Sequence, residues 1–482
     1  MKKLLSLILA GLILSSGMIA CSDKTVKETE SSSSDASTET ESETLNDEFI
    51  FSTTYYNDMP AQDFDGWVMN IAGGYGVANN GGVCEHITVD QLSGDEFDDD
   101  LFNRIISVND KYNVSVLTHD VDVPASIKLS VVSGTQDFAL GADTMESLPQ
   151  TINGECAMSV TELDTVNLDN PYWDQSAKKQ LMIHDKMYYC LSDMSFSHYD
   201  SVAVLYYNGG LLEDHQITES PYDLYKDGRW TLERMYEMVE AVSRDVTGDG
   251  KLTVGEDIIG LVGRELRFMP PLSSSCTDLI LWDDENETFT LNLAGEEVIA
   301  IGEWLGKICL NESLAKMDKG DAIAAFKADR ALFDSRLLGN FRSLRDKEDD
   351  YGIIPWPALE ENTEIKFYNR NPTAVFVAAG NDHPDETGTL MDAMAAYAYD
   401  YIIEDYIHKA VIGKGARDRE SADVIIQLLD KRVYDLSYSF GMDSVGFAWE
   451  NAIAKGNFVS MAKTIQKVFD RSVVKALKIY ED

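Results

Sequence analysis

The sequence predicts an α/β fold with two hydrophobic cores. From Trp67 onwards, apolar stretches of strand length alternate with stretches whose apolar residues recur at helical spacing. The strand-like stretches are apolar throughout, as expected for a parallel sheet that helices cover on both faces. The chain has 482 residues, of which 44% are hydrophobic, and this is enough to bury two cores.

The N-terminus has the regions of an export signal. A basic start at residues 1–3 precedes an apolar stretch at residues 4–14, which is too short for a comfortable membrane span. Residues 18–21, Met-Ile-Ala-Cys, resemble a bacterial lipobox. That resemblance implies that residues 1–20 are a lipoprotein signal peptide and that Cys21 becomes the lipid-modified, palmitate-bearing first residue. We therefore expect the protein at the extracellular face of the cell membrane.

Residues 21–60 are predicted to form a disordered acidic tether. The stretch is rich in Ser, Thr and Glu, and its first part has almost nothing apolar to bury. The whole chain carries a net charge of −43, and loss of Lys2 and Lys3 with the signal leaves 38 of its 40 basic residues against 83 acidic ones. So strong a negative field argues against nucleic acid as a partner and against an anionic ligand. Most of the negative charge is explained by the need for solubility.

The cysteines after Cys21 are spaced too widely and irregularly for a zinc site or a disulfide framework. We expect most of them to be buried thiols, and the pattern does not decide whether two of them form a disulfide. They are Cys84, Cys156, Cys190, Cys276 and Cys309.

The first part of the body alternates strand and helix. We predict, in order, a strand at 67–72, a glycine-rich turn at 73–76, a helix at 95–112, a strand at 113–117, a helix at 123–132 closed by Gly134, and a strand at 137–140 followed by Gly-Ala-Asp. Ligands of parallel sheets bind at the carboxyl ends of the strands. Tyr75 and Asp143 follow two such ends and are therefore candidate contacts.

Residues 201–263 carry the clearest local pattern. The apolar run 201–207 predicts a strand covered on both faces, and the Asn-Gly-Gly sequence at 208–210 predicts the turn that ends it. Thr231 is predicted to cap an amphipathic helix. An acidic loop and a second apolar run, 257–263, follow that helix.

The acidic loop has the spacing of an EF-hand calcium loop. Carboxylates at alternate positions of such a loop point to one centre, and Gly250, at the sixth position, permits the bend. The sequence thus predicts a structural Ca²⁺, with Asp257 as an alternative to the last ligand; an acidic surface turn without metal is the other interpretation. The predicted ligands are Asp245, Thr247, Asp249, Lys251 through its carbonyl, and Glu256.

Five segments resemble blocks of the extracellular solute-binding lipoproteins of ABC importers, in the carbohydrate-type group known as family 1. They are SIKLSVVSGTQDFAL (126–140), LYYNGGLLEDHQI (205–217), GRWTLERMYEMVEA (228–241), DVTGDGK with IIGLVG (245–263), and AFKADRALFDSRLLGNFRSLRDKEDDYGIIPWP (325–357). Their order and spacing carry the resemblance, which covers nearly all of the mature chain. One departure is Ala-Asp-Arg at 328–330, where a Gly-Lys is usual.

This resemblance implies a two-lobed periplasmic-binding-protein-like fold, with a ligand cleft and several hinge crossovers near 199–202, 327–332 and 368–373. It implies a monomer that captures a small solute, most consistent with a sugar or oligosaccharide, and delivers it to the permease subunits of an ABC transporter. The expected lobes are residues 61–200 with 330–368, and residues 201–329 with 369–482.

Sugars present apolar C–H faces and a ring of hydroxyls, so their sites combine aromatic platforms with charged and amide groups. Residues of these types at predicted strand ends or crossings are the candidate contacts, whereas His198 is predicted to lie on the surface and Trp230, Trp304 and Trp449 in the core. The candidates are Tyr75, Asp143, Tyr199, Asp200, Phe268, Trp282, Arg336 and Trp356.

Two other classes of protein compete with a binding protein. A secreted glycosidase would use paired carboxylates that so acidic a chain could supply. A calcium-binding surface adaptor would use the acidic loop. The sequence has none of the short signatures of metalloproteases, serine hydrolases, redox enzymes or NTPases, and we predict no catalytic residue and no enzyme activity.

Overall fold

The structure is a computed structural model that describes residues 55–73, 87–94, 96–263, 268–316, 322–347 and 351–480. Within these ranges, no helix has both the length and the apolar character needed to cross a bilayer. The predicted signal peptide, Cys21, most of the tether and Tyr75 lie outside the described residues. All elements below belong to the unit Phe51–Asp482.

Fourteen strands are described, and most of their residues are buried. They are β1 Trp67–Gly73, β2 Val114–Asp120, β3 Leu140–Thr144, β4 Ala157–Met158, β5 Ala203–Asn208, β6 Ile259–Val262, β7 Ile280–Asp283, β8 Thr288–Leu291, β9 Ala315–Lys316, β10 Ala331–Leu337, β11 Tyr351–Ile354, β12 Phe367–Asn369, β13 Thr373–Ala378 and β14 Arg432–Tyr434.

The described α-helices are α1 Tyr55–Asp58, α2 Glu96–Tyr112, α3 Val123–Ser133, α4 Leu148–Asn153, α5 Gln175–Leu181, α6 Ser197–Asp200, α7 Gly209–Asp214, α8 Pro221–Lys226, α9 Leu232–Val242, α10 Pro270–Ser274, α11 Glu296–Cys309, α12 Ala322–Lys327, α13 Pro384–Tyr401, α14 Ile403–Asp405, α15 Gly413–Gly415, α16 Arg419–Asp430, α17 Leu436–Ser439, α18 Asp443–Ala454 and α19 Phe458–Leu477. Short 3₁₀ segments lie at Val160–Glu162, Leu338–Leu344 and Lys478–Tyr480, and a π-helix at Tyr406–Ile412.

Two five-stranded sheets organise the molecule, and they are built alike. The first has the order β2-β1-β3-β13-β4 and the second the order β9-β6-β10-β5-β11. In each sheet the first three strands are parallel, and the fourth, β13 or β5, runs antiparallel to them. The predicted two-lobed α/β fold is therefore confirmed.

Each sheet receives its antiparallel strand directly from the other lobe. The chain leaves the first lobe after α6 and enters β5, and it leaves the second lobe after β12 and enters β13. These two crossings pair with each other: Val202 bridges to Asn369, and the Arg370 N–H donates to the Ser201 carbonyl at 3.0 Å. A third crossing lies near Ile402, because α13 packs on α2 of the first lobe whereas the π-helix beyond packs on the second.

Strand pairing corrects the predicted lobe boundaries. Residues 330–368 were assigned to the first lobe, but β10 pairs with β5 and β6, and β11 pairs with β5, in the second sheet. Conversely β13, within the predicted second-lobe segment 369–482, pairs with β3 in the first sheet. The predicted crossing at 327–332 is wrong for the same reason, since α12 packs on β10 within one lobe.

Two predictions that depend only on residues close in the chain, a helix cap and a helix end, are confirmed. Thr231 caps α9, accepting from the Arg234 N–H, and Gly134 closes α3 with a left-handed φ of 68°. The strand predicted at 137–140 begins at Leu140 in the structure, three residues after its predicted start. The turn predicted at 208–210 is instead the start of α7, with Asn208 as its N-cap. Asp329, within the Ala-Asp-Arg segment noted above, takes a left-handed φ of 57° that glycine would adopt without strain.

Trp230, Trp304 and Trp449 are buried, as predicted. Of the cysteines that the structure describes in full, Cys156 and Cys190 are buried free thiols, whereas Cys276 is an exposed one.

Candidate ligand-binding cleft

The carboxyl ends of β3 and β10 lie on either side of the paired crossings. Just after β3, the Met145 N–H donates to the Pro372 carbonyl at 3.0 Å; just after β10, the Leu338 N–H donates to the Val202 carbonyl at 2.8 Å. Parallel α/β sheets bind ligands at this edge. The space between the two edges, closed at one side by the crossings, is the candidate cleft.

Asp143 stands at the first edge, next to the end of β3. Its side chain is only 7% exposed and accepts a hydrogen bond from the adjacent Thr144 N–H at 2.7 Å. Burial raises the pKa of Asp143 to about 6, against the lowering effect of that hydrogen bond, and Asp122 raises it further. No cation among the described residues pairs with it, and a carboxyl kept in such surroundings is a candidate functional group.

Asn371 and Glu146 join the crossing to this edge. The Glu146 N–H donates to Asn371 Oδ1 at 2.8 Å, and Asn371 Nδ2 lies 3.4 Å from Glu146 Oε2. Neither residue was predicted. The polar run Asn-Arg-Asn-Pro at 369–372, directly before a fully buried strand, was the signal that could have found Asn371.

Arg336 stands at the second edge. Its Nε donates to Asp334 Oδ2 at 2.6 Å, and Asp334 is completely buried. Arg336 pairs in register with Val204, two residues beyond Val202 of the crossing, and its side chain is 13% exposed. The ion pair therefore places a guanidinium group at the second-lobe edge, as Asp143 places a carboxyl at the first.

Two other candidates, Tyr199 and Asp200, hold the first crossing in place. The Tyr199 hydroxyl donates to Asp193 Oδ1 at 2.8 Å, and Asp200 accepts from Arg342 Nη1 at 2.8 Å and from the Tyr406 hydroxyl. Both carboxylate oxygens of Asp200 are thus used within the protein. We conclude that this residue ties the crossing to the second lobe, a role that the sequence did not reveal.

His198 is buried, with 1% of its surface exposed, so its predicted surface position is wrong. Its Nδ1 lies 2.8 Å from the Ser195 carbonyl, and its Nε2 lies 3.6 Å from Asp193 Oδ1. Packing between the crossing and the first lobe encloses it.

The aromatic candidates occupy three different environments. Trp356 follows β11 at the second edge; it is 3% exposed, and its indole Nε1 has no hydrogen-bond partner among the residues that the structure describes. Phe268 is buried against Trp449 and has a left-handed φ of 68°. Trp282 lies on the β7–β8 hairpin, beside His184 of the first lobe, and does not belong to either sheet edge.

The acidic loop is held together by its own backbone. Asp245 accepts from the N–H groups of Gly248 at 2.6 Å and Gly250 at 2.7 Å, and Asp257 accepts from three further loop N–H groups. Among the described residues no three Asp, Glu, His or Cys side chains converge as metal ligands. Calcium binding by this loop stays a prediction.

If the loop binds Ca²⁺, the melting temperature of the protein should rise with added calcium and fall with chelator. The variant Asp249→Ala should remove that difference, because Asp249 is a predicted ligand whose carboxylate accepts one backbone hydrogen bond, from the Lys251 N–H, whereas Asp245 accepts two. Melting curves of both proteins in calcium and in chelator provide the measurement. Equal curves for the parent protein would refute calcium binding.

No protein-family model matches the chain, and no curated protein matches its sequence. Solved structures do match its fold. The sugar-binding protein MalE from Xanthomonas citri aligns with a TM-score of 0.57 at 12% identity, over 85% of this chain and 98% of that one. An extracellular solute-binding protein from Staphylococcus aureus, in complex with maltose, aligns with a TM-score of 0.55 at 13% identity, over 88% and 100%.

An ABC substrate-binding protein from Listeria monocytogenes, in complex with cycloalternan, aligns with a TM-score of 0.52 at 11% identity, over 86% of this chain and 99% of that one. Because the alignments span these proteins almost end to end, the chain has their whole two-lobed fold. Identities this low establish the fold alone.

Proposed function

We propose that the protein is the extracellular binding component of an ABC importer and that it captures a carbohydrate between its lobes. The observation that carries the proposal is the pair of like-built sheets joined by short, paired crossings. Such crossings let two rigid halves rotate and enclose a ligand. The matching structures are described as sugar-binding or substrate-binding proteins, and two of them hold maltose or cycloalternan.

The chemistry of the cleft supports a sugar. Asp143 offers a carboxyl from one edge, Arg336 a guanidinium from the other, and Trp356 an aromatic ring with an unused N–H donor. Hydroxyl groups both donate and accept, so one sugar could satisfy all three kinds of group. A glycosidase needs a pair of carboxyl groups around the bond that it cleaves, and this set offers one carboxyl outside an ion pair, that of Asp143, which favours a binder over a glycosidase.

A panel of neutral oligosaccharides tests the proposal. The matching sugar should raise the melting temperature without being consumed, and small-angle scattering should show a compaction as the lobes close. Product formation would instead support the glycosidase. A panel that gives neither stabilisation nor compaction would contradict the proposal.

The variant Trp356→Phe keeps an aromatic ring but removes the N–H donor, so it should weaken sugar binding, and the smaller ring at this buried position should also lower stability. Trp304→Phe is the matched control, because Trp304 also has a buried Nε1 for which the described part of the chain offers no partner, but it lies on α11, away from the edges. Equal affinities for the two variants would remove Trp356 from the site.

We further propose that a lipid on Cys21 anchors the protein and that a membrane permease receives the solute. In cells, the variant Cys21→Ala should appear in the medium or the soluble fraction, whereas the parent protein should sediment with membranes and incorporate labelled fatty acid. Identical distributions of the two proteins would argue against the anchor. They would leave the sugar site unaffected.

A further inference from the structure

A second cavity, of about 500 Å³, lies outside the cleft. One wall is the end of α5 and the tight turn after it, and the other is the β7–β8 hairpin. This volume falls within the roughly 300–1,000 Å³ typical of small-molecule sites. Its principal lining residues are Lys178, Lys179, Met182, His184, Trp282 and Glu287.

The two walls belong to different lobes. The chain after α5 leads to Cys190, which bridges to Val375 of the first sheet. The hairpin lies between α10 and α11, and α11 packs on β9 of the second sheet. A ligand in this groove would therefore contact both lobes at once.

The turn in the first wall is strained. Ile183 and Lys186 pair across it, which leaves His184 and Asp185 as its two central residues, and both have left-handed φ values, 49° and 58°. Glycine, asparagine and aspartate most often occupy such positions, and a histidine there is less favourable than a glycine. The turn thereby places the side chains of His184 and Asp185 in the lining of the groove.

The strained turn brings His184 against the hairpin. Its ring lies 5.9 Å from that of Trp282, edge to face, and its Nε2 lies 3.8 Å from Glu287 Oε2. The Nδ1 atom lies 3.0 Å from the Tyr480 carbonyl, which fixes the ring from behind. Trp282 is held in turn by Phe289, at 5.0 Å between ring centroids. The groove thus presents a fixed aromatic ring with polar groups around it.

The charges of the groove decide what kind of ligand fits. The groove holds two lysines and a histidine beside two aspartates and a glutamate, so charges of both signs lie close together in it and neither an anion nor a cation is strongly favoured. An aromatic ring bordered by balanced donors and acceptors suits a neutral ligand with hydroxyls and an apolar face. We propose that this groove is a second carbohydrate site, separate from the cleft and contacting both lobes. The inference shares its ligand class with the proposed function but does not depend on the cleft being occupied.

The test is a binding titration of the protein with maltotriose and cellotriose, followed by saturation-transfer NMR, with trigalacturonate and chitosan trimer as charged comparisons. Trp282→Ala should weaken one class of neutral-sugar binding roughly tenfold, since an aromatic contact of about 1–1.5 kcal/mol is lost. Leu281→Ala is the matched control: it is a neighbouring exposed residue of the same strand that does not line the groove. It should leave binding unchanged.

His184→Gly separates a ligand role from a structural one. Glycine relieves the left-handed strain, so stability should be kept or raised while groove binding weakens. If sugar affinity falls in Trp282→Ala but not in Trp356→Phe, the result supports the groove. If it falls in Trp356→Phe alone, the result supports the cleft and overturns the groove. Absence of neutral-sugar binding, or tighter binding of a charged trimer, also overturns it.

Discussion

Arg432→Met is expected to lower the free energy of unfolding by about 3–5 kcal/mol, the usual result of leaving one member of a buried ion pair alone. Arg432 donates to Asp174 Oδ2 through Nη2 at 2.8 Å and Nε at 3.2 Å, and Tyr434 donates to the same oxygen at 2.6 Å. The guanidinium also lies 4.9 Å from the centroid of the Tyr199 ring. Its removal would leave the buried Asp174 carboxylate, beside the crossing, without its guanidinium partner.

The pH dependence follows from the pKa of Asp174. Burial by itself raises this pKa, but Arg432, His198 and the hydrogen bonds outweigh it, and the net shift is downward. A carboxyl with a lowered folded-state pKa stabilises the protein above its unfolded pKa of 3.8, and that stability is lost as the pH falls through the folded value. Urea unfolding at neutral and acidic pH should show the difference between parent and variant shrink in acid.

Two further variants identify the cause of the loss. The double variant Arg432→Met with Asp174→Asn removes the stranded charge and should recover part of the lost stability, while Asn keeps an oxygen that can cap α5 at Ala177. Arg229→Met is the control, because Arg229 pairs with Glu219 on the exposed surface and should change little. Equal losses for Arg432→Met and Arg229→Met would contradict the prediction.

Asp143→Asn is expected to act in the opposite direction, raising stability by on the order of 2–3 kcal/mol at about pH 8. Burial lifts the pKa of Asp143 from 3.8 to about 6, so the ionised carboxyl opposes folding above that pH. As the pH falls through about 6 the folded state takes up a proton, and below the unfolded value the penalty disappears. The gain from Asp143→Asn should therefore vanish near pH 4.

The same substitution should weaken sugar binding, since a hydrogen bond to a charged group contributes about 1.5–3 kcal/mol. Urea unfolding and sugar titration of the same variant measure both effects. The matched control is Asp392→Asn on α13: its pKa is also raised to about 6, but Tyr172 and Trp173 donate to it within the first lobe. Sugar affinity should be unchanged in this control, and an equal loss in both variants would exclude Asp143 from the site.

Local patterns predicted what depends on neighbours in the chain. Thr231 caps a helix because its own side chain reaches the N–H three residues on, and the Gly134 closure depends on backbone conformation at one residue. The fully buried β5 could be read from an apolar run because burial on both faces leaves no polar position.

The candidate site was predicted only in part. Asp143, Arg336 and Trp356 were candidates because polar and aromatic residues at strand ends stand out in the sequence, and the structure places them at the two sheet edges; their contact with a ligand stays a prediction. The roles of Asp200 and His198 could not be predicted, because their partners lie on other segments of the chain. Arg342 and Tyr406 donate hydrogen bonds to the Asp200 carboxylate, and residues of the first lobe enclose the His198 ring.

The sequence alone thus determined the alternation of helix and strand, the caps and the two-core α/β class, all of which follow from periodicity and short-range hydrogen bonds. Tertiary structure alone decided which lobe each strand joins, since β10 and β13 each pair with strands far away in the chain. It also decided that Trp282 faces a groove across from His184 and not the cleft. Pairing and burial depend on the whole folded chain, and no local pattern of residues contains that information.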